Sequence, residues 1–234
     1  MNLVKSAGTR CFASLLFAVV LCPLLASCLP AHTYKVYTTS VTDDRQLELQ
    51  TGVCGKATGA VIRLQPFVRF QTMDGFGYAI TYSSAYNLMR TTPDDRHTFL
   101  VRTFSPTQGY GASYVRISIG CSDFSSRVYT LCDTPGIAGF ALQSDELDYV
   151  IPVLQEILSI NPAVKVLGSP WTCPRWMKVT DLQTLQPCDS WTGGRLNPAF
   201  YADYADYFVR FIQAMQAVGI PIYAVSPQNE PLNA

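Results

Sequence analysis

The sequence predicts an α/β fold, the N-terminal half of a TIM (β/α)8 barrel preceded by extended segments. Three observations predict it. Four short β-prone stretches, around Met73, Tyr114, Val164 and Ile222, are separated by segments of helical period, and strand–helix alternation of this kind builds a parallel sheet. Residues 73–234 are too few for a whole barrel, which needs ~250 residues, so a truncated chain is expected; a compact open sheet is the other reading. Finally, Asn229-Glu230-Pro231 directly follows the last stretch. That places a carboxyl at the C-terminal end of a buried strand, the edge where barrels keep their catalytic groups.

Residues 1–28 read as an export leader. Lys5 and Arg10 form a positive region, and Cys11 to Leu25 is apolar but short for a bilayer span. The leader ends in Leu25-Ala26-Ser27-Cys28, which resembles the cleavage box of bacterial lipoproteins. Cys28 would then be the lipidated first residue, anchoring the protein without a spanning helix. An ordinary secretory signal is the alternative; either implies export, to a lipid-anchored place in the bacterial cell envelope in the first case and to a secreted or periplasmic one in the second.

Residues 29–46 read as a Thr/Ser-rich tether, and 47–70 as strand-like material, with Val61–Leu64 and Phe67–Phe70 of strand composition. Residues 71–234 are the half-barrel. Met73–Ile80 is its first strand, with glycines where backbone approaches closely. A helical region spans Ser83–Phe104, broken at Thr92-Pro93, where Thr92 can cap a second helix. Tyr114–Ile119 is a strand, followed by a long loop from Gly120 to Gln143. Ser144 can cap a helix over Asp145–Ile160, where Pro152 marks a kink or the true start. Val164–Gly168 is the next strand, and a second long loop, Ser169–Gly194, carries Trp171, Trp176 and Trp191. Asn197-Pro198 starts a helix whose apolar face is Tyr201, Tyr204, Phe208, Phe211, Ile212 and Met215. Gly219 ends it, and Pro221 opens the strand leading to Glu230.

The charge is balanced, 17 basic against 17 acidic residues, and only 15% of residues are charged. No basic footprint for nucleic acid is present. Aromatic residues make up 12%, which suits neutral, stackable ligands such as sugars as well as a large core. Two histidines far from any cysteine cluster argue against zinc. Among the cysteines, Cys121 with Cys132 and Cys173 with Cys188 are close enough in sequence for disulfides, although spacing does not settle connectivity.

Four stretches carry a family resemblance: Asp74-Gly75-Phe76-Gly77; Arg116 with Ser122-Asp123-Phe124-Ser125; Ser169-Pro170-Trp171 through Lys178; and Asn229-Glu230-Pro231. In that order they resemble glycoside hydrolase family 30, the glucosylceramidase-like group. The resemblance implies that Glu230 is the general acid/base and that Asn229 holds the sugar 2-hydroxyl. It places Arg116 and Asp123 around the glycone, with Asp123 accepting from vicinal hydroxyls and Arg116 orienting neighbouring carboxylates. Trp171 becomes a pocket wall; Trp176 and Trp191 could serve in the same way or pack in the core, and the core is the favoured reading for both. It also implies that residues 47–70 belong to an accessory β-sandwich and that the nucleophile lies beyond residue 234.

The function expected is a retaining β-glycosidase of glucosylceramidase type, acting by double displacement on a β-glucoside, glycolipid or β-glucan. This chain would be a fragment inactive by itself. Glycoside hydrolysis by paired carboxylates needs no cofactor. The alternatives are an endo-β-1,6-glucanase of the same family, or a non-catalytic glycan-binding surface lipoprotein.

Overall fold

The protein was analysed as a computed structural model, which describes residues 33–53, 59–60, 62–63 and 65–231. The leader and Cys28 lie outside the described residues. The chain divides into two units after Phe70.

In the first unit, β1 (Thr33–Ser40) pairs antiparallel with β2 (Arg45–Val53). Part of the expected tether is therefore a strand. The Thr and Ser content that suggested a linker is also compatible with a hairpin exposed on both faces, where threonine, valine and tyrosine supply the β preference. The stretch Phe67–Phe70 corrects the reading the other way. Val68 N donates to Gln65 O at 3.0 Å, closing a turn over Pro66, and Phe67 and Phe70 are exposed. Strand composition did not suffice there without a neighbouring ladder. Val61 and Leu64 lie outside the described residues.

The second unit is built on a four-stranded parallel sheet in chain order: β3 (Gly77–Ala79), β4 (Tyr114–Ser118), β5 (Lys165–Ser169) and β8 (Ile222–Val225). Sequential parallel neighbours joined through helices are the arrangement of a barrel wall. The first strand is shorter than the sequence suggested. At Gly77 a Cβ would lie 1.5 Å from the Tyr114 carbonyl oxygen, so only glycine permits this approach of β3 to β4.

Helices α1 (Tyr82–Arg90) and α2 (Pro93–Phe104) connect β3 to β4. Thr92 caps α2, its Oγ1 accepting from Asp95 N at 3.1 Å, and Pro93 occupies the first turn where its missing N–H costs nothing. Helix α3 (Ile151–Ile160) is preceded by a π-helical turn, Glu146–Val150. Ser144 is not its cap; Glu146 Oε2 reaches back to accept from Gln143 N at 2.9 Å. Pro152 then falls in the first turn of α3 rather than inside a continuous helix. A two-stranded ribbon, β6 (Lys178–Val179) with β7 (Arg195–Leu196), folds the second long loop back on itself.

Helix α4 (Tyr201–Ala217) buries Tyr204, Tyr207, Phe211 and Met215, while Tyr201 and Ile212 are exposed. The apolar stripe is thus rotated from the expected face, and Tyr207, whose hydroxyl accepts from Leu131 N at 3.1 Å, belongs to it. Gly219, at φ +82°, turns the chain out of the helix in the left-handed conformation that glycine adopts without strain.

The core lies between sheet and helices. On β4, Val115 and Ile117 are buried, while Tyr114, Arg116 and Ser118 on the other face are half-buried. That second face remains partly open, with Tyr223 exposed beside Tyr114.

Candidate active site

The half-open face of the sheet carries Arg116 towards the C-terminal strand ends. Its Nη2 donates to Ser169 Oγ at 2.9 Å and to Asn229 Oδ1 at 2.7 Å, and its guanidinium carbon lies 4.9 Å from the Trp171 ring centroid. One cation therefore ties β4 to the end of β5 and to the segment after β8. The resemblance implies that Arg116 orients neighbouring carboxylates; the structure gives it an amide, a hydroxyl and an indole as partners as well. Occupying Oδ1 with Arg116 fixes the amide orientation of Asn229 and leaves Nδ2 as its donor end.

The segment after β8 is stitched to β5 along its length. Ser226 N donates to Gly168 O at 3.0 Å, Asn229 N to Pro170 O at 2.8 Å, and Gln228 Nε2 to Trp171 O at 3.0 Å. The Ser169 and Ser226 hydroxyls meet at 2.7 Å, and Tyr204 on α4 donates to Pro227 O at 3.0 Å. These bonds hold Asn229 and Trp171 on rigid elements, as a preorganised site requires.

Asp123 sits in a tight turn after β4. Ser125 N donates to Ser122 O, Ser122 N to Ser125 Oγ, and Phe124 N to Ser122 Oγ, at 3.0–3.3 Å. The Phe124 carbonyl in turn accepts from Ser83 of α1. The carboxylate is exposed at the end of this braced loop.

Asp123, Trp171, Asn229 and Glu230 line one cavity of about 130 Å³, together with Trp191, Thr192 and Gln228. Glu230 has φ +44°, the left-handed region that a glutamate seldom adopts. Outliers of this kind cluster at functional sites. Glu230 lines the cavity while remaining exposed.

Trp191 serves in both of the roles open to it: it packs against the core cluster and also forms a wall of the cavity. Lys178, for which no role was legible in the sequence, binds the backbone around Trp191. It is 4% exposed, and its ammonium donates to the carbonyls of Ser190, Trp191 and Gly193 at 3.0, 2.6 and 3.1 Å. Burial pulls its pKa below the ordinary value, while the three carbonyl oxygens hold the charged form. A lysine inside a ribbon gives no sequence signal for such a clamp. Trp176 does behave as a packing residue, donating Nε1–H to Cys132 O at 2.9 Å and meeting Phe200 edge-on.

The expected disulfides are absent: Cys121, Cys132, Cys173 and Cys188 are free thiols. Cys121 Sγ accepts from Tyr129 N at 3.1 Å, and Cys132 Sγ–H points to Gly136 O at 3.3 Å. Burial raises the Cys121 pKa to about 11. Among the described residues no group of three or more His, Cys, Asp or Glu is placed to hold a metal, and no helix is long and apolar enough to cross a membrane.

Residues 73–234 match the sequence model of the glycosyl hydrolase family 30 TIM-barrel domain. The chain belongs to glycosyl hydrolase family 30. Among its family 30 relatives, the mouse lysosomal acid glucosylceramidase is 31% identical over 221 residues, 87% of this chain and 40% of that protein. An endo-1,6-beta-D-glucanase of Neurospora crassa is 33% identical over 174 residues, 72% of this chain and 35% of the relative. The solved endo-beta1,6-glucanase BT3312 superposes with a TM-score of 0.75 at 57% identity, covering 85% of this chain and 43% of that one. The chain thus spans less than half the length of these relatives, and its sheet is the corresponding part of the family 30 barrel.

Proposed function

We propose that the protein is a retaining β-glycosidase acting on β-1,6-glucan, and that this chain carries the proton-transfer and glycone-binding part of the site. The observation that carries the reading is the convergence of Glu230, Asn229, Trp171 and Asp123 on one cavity, with Arg116 bonded to Asn229. Trp171 offers an apolar wall and Asp123 an acceptor for sugar hydroxyls. Asn229 Nδ2 supplies a donor for the 2-hydroxyl, an interaction that strengthens as the anomeric carbon becomes oxocarbenium-like. Glu230 as the acid protonates the departing glycosidic oxygen and afterwards, as carboxylate, takes a proton from the attacking water. Double displacement also needs a nucleophilic carboxylate ~5 Å from the acid. Among the described residues the other carboxylate on the cavity is Asp123, which we assign to binding, so ligand binding is the property to measure on this chain.

The sequence alone favoured a glucosylceramidase. The 57% identity to an endo-beta1,6-glucanase, against 31% to the mouse glucosylceramidase, supports the alternative instead. Calorimetric titration with β-1,6-linked gluco-oligosaccharides and with a soluble glucosylceramide analogue tests this. Preference for the oligosaccharides, weakened in Asn229→Ala, is expected. Preference for the glycolipid would restore the glucosylceramidase reading. We further propose that the domain works at the cell envelope, held by a lipid on Cys28.

A further inference from the structure

Trp191 also lines a second cavity of about 460 Å³, more than three times the volume of the one beside Glu230. Its walls come from the two long loops that follow β4 and β5, which emerge at the C-terminal end of the sheet, where barrel ligands bind. Tyr129 and Asp133 come from the first loop, and Arg175, Trp176, Asp189 and Trp191 from the second. The aromatic rings are rigidly held. Tyr129 donates to Glu146 at 2.7 Å, Trp176 is bonded to Cys132 O, and the Trp191 carbonyl is clamped by Lys178. Between them lie Arg175 and Asp189, 3.5 Å apart, with side chains 41% and 90% exposed. Asp133 adds a second carboxylate, whose Oδ1 accepts from both the backbone and the hydroxyl of Thr130.

Fixed rings interleaved with exposed charged groups of both signs match a pyranose, which has apolar C–H faces and a rim of hydroxyls. They do not match an acyl chain, which would strip water from the Arg175–Asp189 pair and from Asp133 and offer them no hydrogen bond in return. We propose that this cavity is a second sugar subsite, taking a glucosyl residue next to the one beside Glu230, with the Trp191 indole as the shared partition. The proposal rests on the glucanase reading above and deepens it. Endo-action requires the chain to be held beyond the residue whose bond is cleaved. A glycolipid presents one sugar and then hydrocarbon, and would leave this cavity empty.

The test is a calorimetric comparison of methyl β-glucoside with a β-1,6-linked glucotetraose on the full chain and on the variants Arg175→Ala and Asp189→Asn. The ratio of tetrasaccharide to monosaccharide affinity is expected to exceed ten in the parent and to fall about tenfold in each variant, the effect of losing one charged hydrogen-bonding group. Asp189 is on the surface, so its variant reports even if Arg175→Ala misfolds. Equal ratios in parent and variants would overturn the subsite alone and leave the Glu230 cavity as the sugar site. Failure of the parent to bind either ligand would overturn both readings.

Discussion

Replacing Arg116 with methionine keeps most of the apolar stem and removes the guanidinium that joins three segments. Its two hydrogen bonds, 2.9 Å to Ser169 and 2.7 Å to Asn229, are charge-assisted, and the group stacks 4.9 Å from the Trp171 centroid. Bonds to a charged group contribute ~1.5–3 kcal/mol each, and a cation–π contact at an exposed site ~0.5–1 kcal/mol. Arg116 is only half-buried, so the lower values apply, and Arg116→Met should lose about 3 kcal/mol of unfolding free energy. A double-mutant cycle with Asn229→Ala isolates one bond and should give a coupling of about 1–2 kcal/mol. Urea unfolding followed by tryptophan fluorescence measures both quantities. Asn229 and Ser169 are neutral acceptors, so raising the salt concentration should change the coupling little. A coupling below ~0.3 kcal/mol, the limit for independent sites, would mean that water satisfies both groups and that Arg116 does not organise the site.

Lys178→Met should lose about 2–4 kcal/mol, because three carbonyls lose a buried cation, and should also weaken sugar-induced tryptophan fluorescence change as the Trp191 turn loosens; intact fluorescence response would refute the clamp. Reduction with a phosphine should leave the unfolding midpoint of the barrel unit in place, since its cysteines are free thiols, and a fall of several degrees would reveal a bridge. Burial raises the Glu146 pKa in the fold, so its contribution is greatest at low pH and declines as pH rises from 4.5 through the raised folded value. The stability of the parent minus that of Glu146→Gln should therefore fall over that window in a pH series of urea titrations, and a rising difference would reverse the assignment. Cys28→Ser should shift the expressed protein from the membrane to the soluble fraction; continued sedimentation with membranes would count against the lipid anchor.

Much of the fold could be read locally. Thr92-Pro93 and Asn197-Pro198 announced helix starts because capping depends on residues within three positions, and both caps are made, Asn197 Oδ1 accepting from Ala199 N at 3.0 Å. The strand starting at Tyr114 was legible from β-branched alternation. Local pattern failed where a partner decided the outcome. Thr33–Ser40 is a strand because Arg45–Val53 lies beside it, and Phe67–Phe70 is not one despite suitable residues. The site divides in the same manner. Glu230, Asn229, Asp123 and Trp171 stood out as residue types in a recognisable order, whereas the double role of Trp191 and the clamp at Lys178 gave no local signal.

Sequence by itself determined the alternation of four barrel strands with helices, the membership in family 30 and the candidates Glu230, Asn229, Asp123 and Trp171, because each depends on short motifs or on neighbours a few positions apart. Tertiary structure alone decided that Arg116 binds Asn229 across 113 positions of chain and Ser169 across 53, that Lys178 binds the carbonyl of a tryptophan lining two cavities, and that Cys121, Cys132, Cys173 and Cys188 are thiols. Those outcomes depend on distances of 3 Å between atoms brought together by strand register and loop closure, which no local pattern encodes.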